Sequence, residues 1–179
     1  MSNWSHGYNV EQGYTYGAYR EMSPEWLDFV ARLQGFVPPD RTSNFRYLEL
    51  GTGQGLGLCI LAACYPDGEF VGVDFKPAHI SHAKQLAERA GLTNIRFVEA
   101  DFSELAFSWP NNFGQFNYVA LHGIYTWVPV PIRHALVRCI QHAALPGALI
   151  YNSYNALPGW TTAYPMQHLL RRMQLVGGG

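Results

Sequence analysis

Charge is scarce in this chain. Asp, Glu, Lys and Arg make up 14% of its 179 residues, and 12 basic against 13 acidic side chains leave a formal net charge of −1. The longest basic run is Arg171-Arg172, too little for the stripe that neutralises a phosphate backbone, so a general nucleic-acid surface is excluded. Cysteine is also sparse: Cys59, Cys64 and Cys139 form no C-x-x-C pair, which argues against a disulfide framework or a zinc ribbon and predicts buried free thiols in a reducing compartment. No apolar run approaches the roughly 20 residues that cross a bilayer, and no charged-then-apolar leader opens the chain. The expectation is a soluble, cytoplasmic protein with neither membrane nor nucleic acid as partner. Repeats, low-complexity stretches and linkers are lacking too, so 1–179 reads as a single domain.

Glycine and aromatic residues are plentiful. The stretch Arg46-Tyr-Leu-Glu-Leu-Gly-Thr-Gly-Gln-Gly-Leu-Gly57 carries an acid at Glu49 and glycines at 51, 53, 55 and 57. A short apolar strand that breaks into alternating glycines and restarts as an apolar helix makes a turn whose backbone can lie against a nucleotide cofactor. The dinucleotide fingerprint Gly-x-Gly-x-x-Gly does not fit, because its third glycine falls on Leu56 or Leu58. An NAD-dependent oxidoreductase is disfavoured on that spacing.

Around this turn the chain alternates strand and helix. Ser23-Pro24-Glu25 supplies an N-cap, an N1 proline and a first-turn acid, and Trp26, Phe29, Val30 and Leu33 then recur at helical spacing until Gly35. Such a helix can cover the sheet edge or the cofactor. Strands are expected at 47–50, 69–74, 95–100, 116–121 and 148–151, the last after the turn Leu145-Pro146-Gly147; helices are expected at 54–64, from Pro77 to Gly91, and over 131–143. Helix-length crossovers between strands imply an α/β, Rossmann-like, doubly wound parallel sheet of order 3-2-1-4-5. Residues 1–44 form an N-terminal arm and helix, 45–155 the core and 156–179 a C-terminal helix.

Ligands in such sheets sit beyond the carboxyl ends of the strands. Asp74 ends strand two, where a carboxylate can accept from both ribose hydroxyls, and Phe75 can lie on an adenine face. Asp101 and Phe102 follow strand three; Asp101 either contacts a ligand or caps the helical turn at Ser103. His122 follows strand four, as a general base or as a positioning residue. His79 and His82 lie three apart on a helix with no third ligand, so they read as surface histidines and no metal is expected.

Glu49, Gly51, Gly53 and Gly55, in the order acid-x-Gly-x-Gly-x-Gly, resemble the first motif of class I S-adenosylmethionine (SAM) methyltransferases. Tyr14-Thr-Tyr16-Gly-Ala-Tyr19-Arg20-Glu21-Met22-Ser23-Pro24, His122-Gly-Ile-Tyr125-Thr-Trp127 and Ser153-Tyr154-Asn-Ala-Leu-Pro-Gly-Trp160 are similar to segments of bacterial class I methyltransferases that carry a methyltransferase regulatory domain after the catalytic one. That group includes protein-lysine methyltransferases. The resemblance implies SAM as cofactor, with Glu49, Gly51, Gly53, Gly55, Asp74, Phe75, Asp101, Phe102 and His122 around it. Asp101 would accept from the adenine amino group and the Phe102 amide reach a ring nitrogen. The backbone carbonyl of Leu121 or His122 would suit the ammonium group. It also implies Tyr14, Tyr16, Tyr125 and Tyr154 near the methyl acceptor, with His122, Tyr125 and Tyr16 as catalytic candidates. Arg20 can pair with the SAM carboxylate or with Glu49. The acceptor, a protein lysine or a small molecule, is not named by the sequence.

Two departures matter. The Asn/Asp-Pro-Pro-aromatic element of amino-directed DNA methyltransferases is replaced by His122–Tyr125, against a base-modifying enzyme. About 28 residues follow Tyr151 and 161–176 read as one helix, leaving no room for the C-terminal strand hairpin of the full class I fold. The chain is therefore expected to resemble the N-terminal part of a longer protein. Strand five becomes an open apolar edge that needs a helix, a loop or a second copy, as in a homodimer, to cover it. A non-catalytic SAM-binding or interaction module is the alternative to an enzyme.

Overall fold

The computed structural model describes residues 16–177, so Tyr14 lies outside the described residues. After a 3-10 turn at Arg20–Met22, the elements run α1 (Pro24–Leu33), β1 (Phe45–Leu50), α2 (Leu56–Cys64), β2 (Gly68–Asp74), α3 (Pro77–Arg89), β3 (Ile95–Glu99), α4 (Phe102–Phe107), β4 (Phe116–Leu121), α5 (Val130–Ala143), β5 (Ala144–Asn152) and α6 (Tyr164–Gly177). The five strands form one parallel sheet of order β3-β2-β1-β4-β5, as the alternation of strand and helix predicts.

Two apolar layers cover the sheet. Leu48, Leu50, Val71, Val73, Val119 and Leu121 point to the side packed by α4 and α5. Tyr47, Phe70, Phe97, Tyr118 and Ala120 point to the side packed by α2 and α3. Alternate residues of the central strands thus enter opposite layers, which is why these strands read as continuous apolar runs. A half-buried Asn94 fastens the α2–β2 corner: its amide nitrogen donates to the carbonyls of Ala62, Tyr65 and Gly68 at 2.9–3.0 Å.

Four expectations are corrected. Ser23 does cap α1, its hydroxyl accepting from the Trp26 amide at 3.3 Å, but the stripe Phe29, Val30 and Leu33 faces outward. The helix instead buries Asp28, whose carboxylate accepts from the Tyr118 hydroxyl at 2.7 Å and from Arg41 Nε at 2.8 Å. A buried charge with two donors sets the helix rotation more strongly than a narrow apolar stripe. Strand five begins at Ala144, four residues early: Phe116 pairs with Ala144 and Tyr118 with Leu149, so the Leu145-Pro146-Gly147 segment bulges out of a strand that continues through it. Cys64 is exposed, unlike the buried Cys59 and Cys139. His79 is buried against Asp74, with Nδ1 at 3.3 Å from Oδ1, and only His82 is exposed.

β5 forms the sheet edge, and Ile150 upon it is half exposed. Among the described residues no helix is long and apolar enough to cross a membrane, and no cluster of His, Cys, Asp and Glu could hold a metal ion.

Candidate cofactor and acceptor site

The glycine turn follows β1 directly. Gly51, Gly53 and Gly55 adopt φ of +77°, +55° and +79°, a region closed to most side chains. Two of them also sit too close to neighbours for any other residue. A Cβ on Gly51 would lie 1.8 Å from Ile124 Cδ1, and one on Gly55 would lie 2.5 Å from Ala83 Cβ. The turn is therefore pressed between the β4–α5 loop and α3, and its backbone is left to line the crevice at the carboxyl ends of the strands.

Carboxylates of β1 and β2 bond to it, and a third stands at the carboxyl end of β3. Glu49 is buried within β1 and accepts from Thr52 Oγ1 at 3.0 Å; burial, with the Asp74 charge adding to it, pushes its carboxyl up to about 7. Asp74 ends β2, accepting from the Gly53 amide at 2.9 Å through Oδ2 and from the Lys76 amide at 2.9 Å through Oδ1. Asp101 follows β3 and takes the capping role: its Oδ1 caps α4 by accepting from the Ser103 amide at 2.6 Å, while its Oδ2 is buried with no hydrogen-bond partner among the described residues. A buried acceptor left without a donor costs about 1–3 kcal/mol, so a ligand donor there is compensated.

The N-terminal arm roofs this crevice. Tyr16 sets its edge against His82, with centroids 5.7 Å apart, and His82 Nδ1 lies 3.0 Å from the Gln54 carbonyl in the glycine turn. The backbone at Gly17 and Ala18 passes so close to Gly57 that a Cβ there would meet Gly17 O at 3.5 Å. Tyr19 then stacks on the His122 ring at 3.8 Å, and the Met22 carbonyl accepts from the Tyr47 hydroxyl at 2.8 Å. Arg20 lies over the Trp26 ring at 4.6 Å, a cation–π contact.

His122 is half-buried at the end of β4, and burial lowers its pKa, which keeps the ring neutral near pH 7. Its Nδ1 lies 3.1 Å from the Tyr151 hydroxyl of β5. The Leu121 carbonyl accepts from the Ser153 amide at 3.0 Å, and the Gly123 amide donates to Ser153 Oγ at 2.8 Å. Tyr125 is placed differently: it packs on the α4–α5 layer with the Arg133 guanidinium 5.5 Å from its ring. Phe102 is core, 2% exposed, and Tyr154 is well exposed. Phe75 is half-buried beside Asp74. The structure thus brings together Glu49, the glycine turn, Asp74 and the arm, with His122 beneath Tyr19, and sets Tyr125 apart. Tyr19 and Tyr151 were missed as site residues. The strand-end rule would have found Tyr151, the penultimate residue of its strand.

Residues 41–157 match the model of a methyltransferase domain. The chain belongs to that family. It is a class I SAM-dependent methyltransferase domain by sheet order and by its glycine motif. An uncharacterized protein of Synechocystis sp., sll1526, is 41% identical over 169 residues, covering 94% of this chain and 33% of that protein. The methyltransferase-domain fold superposes on PKMT2 of Rickettsia typhi in complex with S-adenosylhomocysteine, with TM-score 0.78 and 23% identity over 92% of this chain and 31% of that one. It also superposes on a SAM-dependent methyltransferase of Thiobacillus denitrificans in complex with S-adenosylhomocysteine, with TM-score 0.55 and 18% identity over 94% of this chain and 62% of that one. A tRNA (guanine-N(7)-)-methyltransferase of Rubrobacter xylanophilus is 41% identical over 76 residues, covering 41% of this chain and 34% of that protein. The cofactor of this methyltransferase domain is SAM. The chain spans about a third of the length of the Synechocystis relative.

The buried residues fit that cofactor. An unpaired Asp101 Oδ2 suits the adenine amino group, and a half-ionised buried Glu49 suits a nearby cation.

Proposed function

We propose that this domain binds SAM along the carboxyl ends of β1, β2 and β3 and transfers its methyl group to an amine, with a protein lysine as the acceptor class. The observation that carries the cofactor pose is the unpartnered, buried Asp101 Oδ2 at the carboxyl end of β3. Glu49 sits beneath the turn to oppose positive charge, Asp74 holds the loop that approaches the ribose, and Asp101 receives the adenine amino group. When bound, SAM supplies an electrophilic methyl carried on a sulfonium. The chain's own part is to orient a neutral nitrogen along the carbon–sulfur axis and keep water away, since in-line displacement needs positioning more than acid–base chemistry.

Aromatic side chains provide that wall. Tyr19 and Tyr151 flank His122, and Trp127 meets Trp160 edge-on at 6.3 Å in the next two loops. Such faces accommodate a cation or an amine. Lysine is favoured over a nucleobase by the near-neutral charge balance and by the segments similar to a methyltransferase group that includes protein-lysine methyltransferases, in keeping with the likeness to PKMT2 of R. typhi at TM-score 0.77 with 26% identity.

The test is transfer of radiolabelled methyl from SAM to bacterial lysate proteins, followed by acid hydrolysis. Label recovered as methyl-lysine supports the reading. Label confined to RNA or to small molecules overturns the acceptor class, and SAM binding without any transfer favours a non-catalytic SAM-binding module.

A further inference from the structure

Two polar contacts join the ends of β4 and β5 around His122. The Gly123 amide donates to Ser153 Oγ at 2.8 Å. The Tyr151 phenol oxygen lies 3.1 Å from His122 Nδ1. The two rings are parallel to within 4°, and Tyr19 stacks on the imidazole at 3.8 Å. With one flanking tyrosine stacked on it and the other bonded to Nδ1, the imidazole has its orientation fixed.

The direction of the last bond follows from the chemistry of the two groups. A phenol is a good proton donor, and its oxygen is a weak acceptor because a lone pair is delocalised into the ring. The unprotonated nitrogen of a neutral imidazole is a strong acceptor. Burial holds the imidazole neutral, and burial with the Glu21 charge keeps the phenol protonated.

We propose that Tyr151 is a positioning residue for His122: by donating its phenol O–H to Nδ1, it fixes the imidazole as the Nε2–H tautomer. His122 then presents a hydrogen-bond donor to the site in place of a basic lone pair. A donor at the end of β4 suits an anionic or carbonyl group, such as the carboxylate of the methionyl part of SAM, and does not remove a proton from the acceptor. His122 is thereby assigned to binding and not to general-base catalysis. The consequence for the reaction rests on the methyltransferase reading above; the tautomer itself does not.

The experiment is nitrogen-15 NMR of the histidine side chains in the full chain, with His122 assigned by its loss in His122→Gln. The expected spectrum shows Nε2 protonated and Nδ1 as a hydrogen-bonded acceptor. In Tyr151→Phe, the Nδ1 resonance moves toward that of an acceptor without a donor. A protonated Nδ1 in the wild type, or an Nδ1 resonance unchanged in Tyr151→Phe, overturns the proposal. A calorimetric titration of the wild type with SAM is run alongside. Absence of binding there removes the methyltransferase reading without touching the tautomer result, so the two failures are separable.

Discussion

Asp74, at the carboxyl end of β2, holds the Gly53 amide at 2.9 Å and so ties the second strand to the glycine turn that follows the first. The second oxygen holds the Lys76 amide at the same distance. One carboxylate thereby shapes the loop: Oδ1 also faces His79 Nδ1 at 3.3 Å, and Oδ2 keeps a lone pair that a ribose hydroxyl could use.

An Asp74→Asn substitution therefore has two consequences. The amide nitrogen must face one of the two backbone donors, so stability falls by about 1–3 kcal/mol. SAM affinity falls by roughly tenfold or more as the loop loosens. Urea denaturation and calorimetric titration read the two effects separately. Stability loss with unchanged affinity would confine Asp74 to a structural role.

Asp101→Asn separates capping from binding. Asparagine is as good an N-cap as aspartate, so α4 and the thermal midpoint are nearly preserved. The position of Oδ2, buried and unpartnered, receives an amide nitrogen that faces the donor it is meant to accept. SAM affinity is expected to fall by about tenfold to a hundredfold, read by the same titration. Retained affinity would show that the adenine lies elsewhere.

Glu49 makes stability and binding depend on pH in opposite ways. Its carboxyl stands at about 7 in the fold against an ordinary 4.5. Between those values the unfolded chain gives up the proton while the folded chain keeps it, so the free protein loses stability as pH rises through this window. The loss reaches on the order of 3 kcal/mol above pH 8. Glu49→Gln removes it, and the variant should melt higher than wild type at pH 8.

A cation placed beside Glu49 favours its ionised form. SAM affinity should then fall as pH drops below about 7, by up to roughly tenfold per pH unit, and binding at pH 7 should release a fraction of a proton. Titrations in buffers of different ionisation enthalpy measure that release. No release, with affinity flat from pH 8 to pH 6, would remove Glu49 from the cofactor site.

Asp28→Ala tests the docking of α1. It strips the partner from the fully buried Tyr118 hydroxyl and from Arg41, and should cost about 3–5 kcal/mol. Tyr118→Phe, which removes one donor and leaves Arg41, should cost about 1–2 kcal/mol. Equal losses in chemical denaturation would mean that the ion pair contributes nothing.

The sheet was legible because its strands announce themselves locally. β4 is bounded as expected at 116–121, and Ser23, Pro24 and Gly35 mark the limits of α1. What failed depends on distant partners. The Asp28–Tyr118 bond spans 90 residues, and no helical periodicity could show that it would turn Phe29 and Leu33 outward. Likewise, His79 looked like a surface residue until β2 brought Asp74 against it. The α4 helix was foreseen only as a turn at Ser103, since six residues hold too little periodicity to read. At the site, the glycine turn and Asp74 were legible from spacing, while the ligand roles of Glu49 and Asp101 came from the resemblance to class I methyltransferases. Tyr19 had no local signal, because it reaches His122 only through the fold of the arm; Tyr151 stood at a strand end, where the strand-end rule points.

The most direct test of the central claim is calorimetric titration of the chain with SAM, S-adenosylhomocysteine and NADH in parallel. The structure predicts micromolar binding of the first two and none of the third, with the SAM signal weakened in Asp101→Asn. Binding of NADH, or silence from SAM and S-adenosylhomocysteine alike, would contradict it.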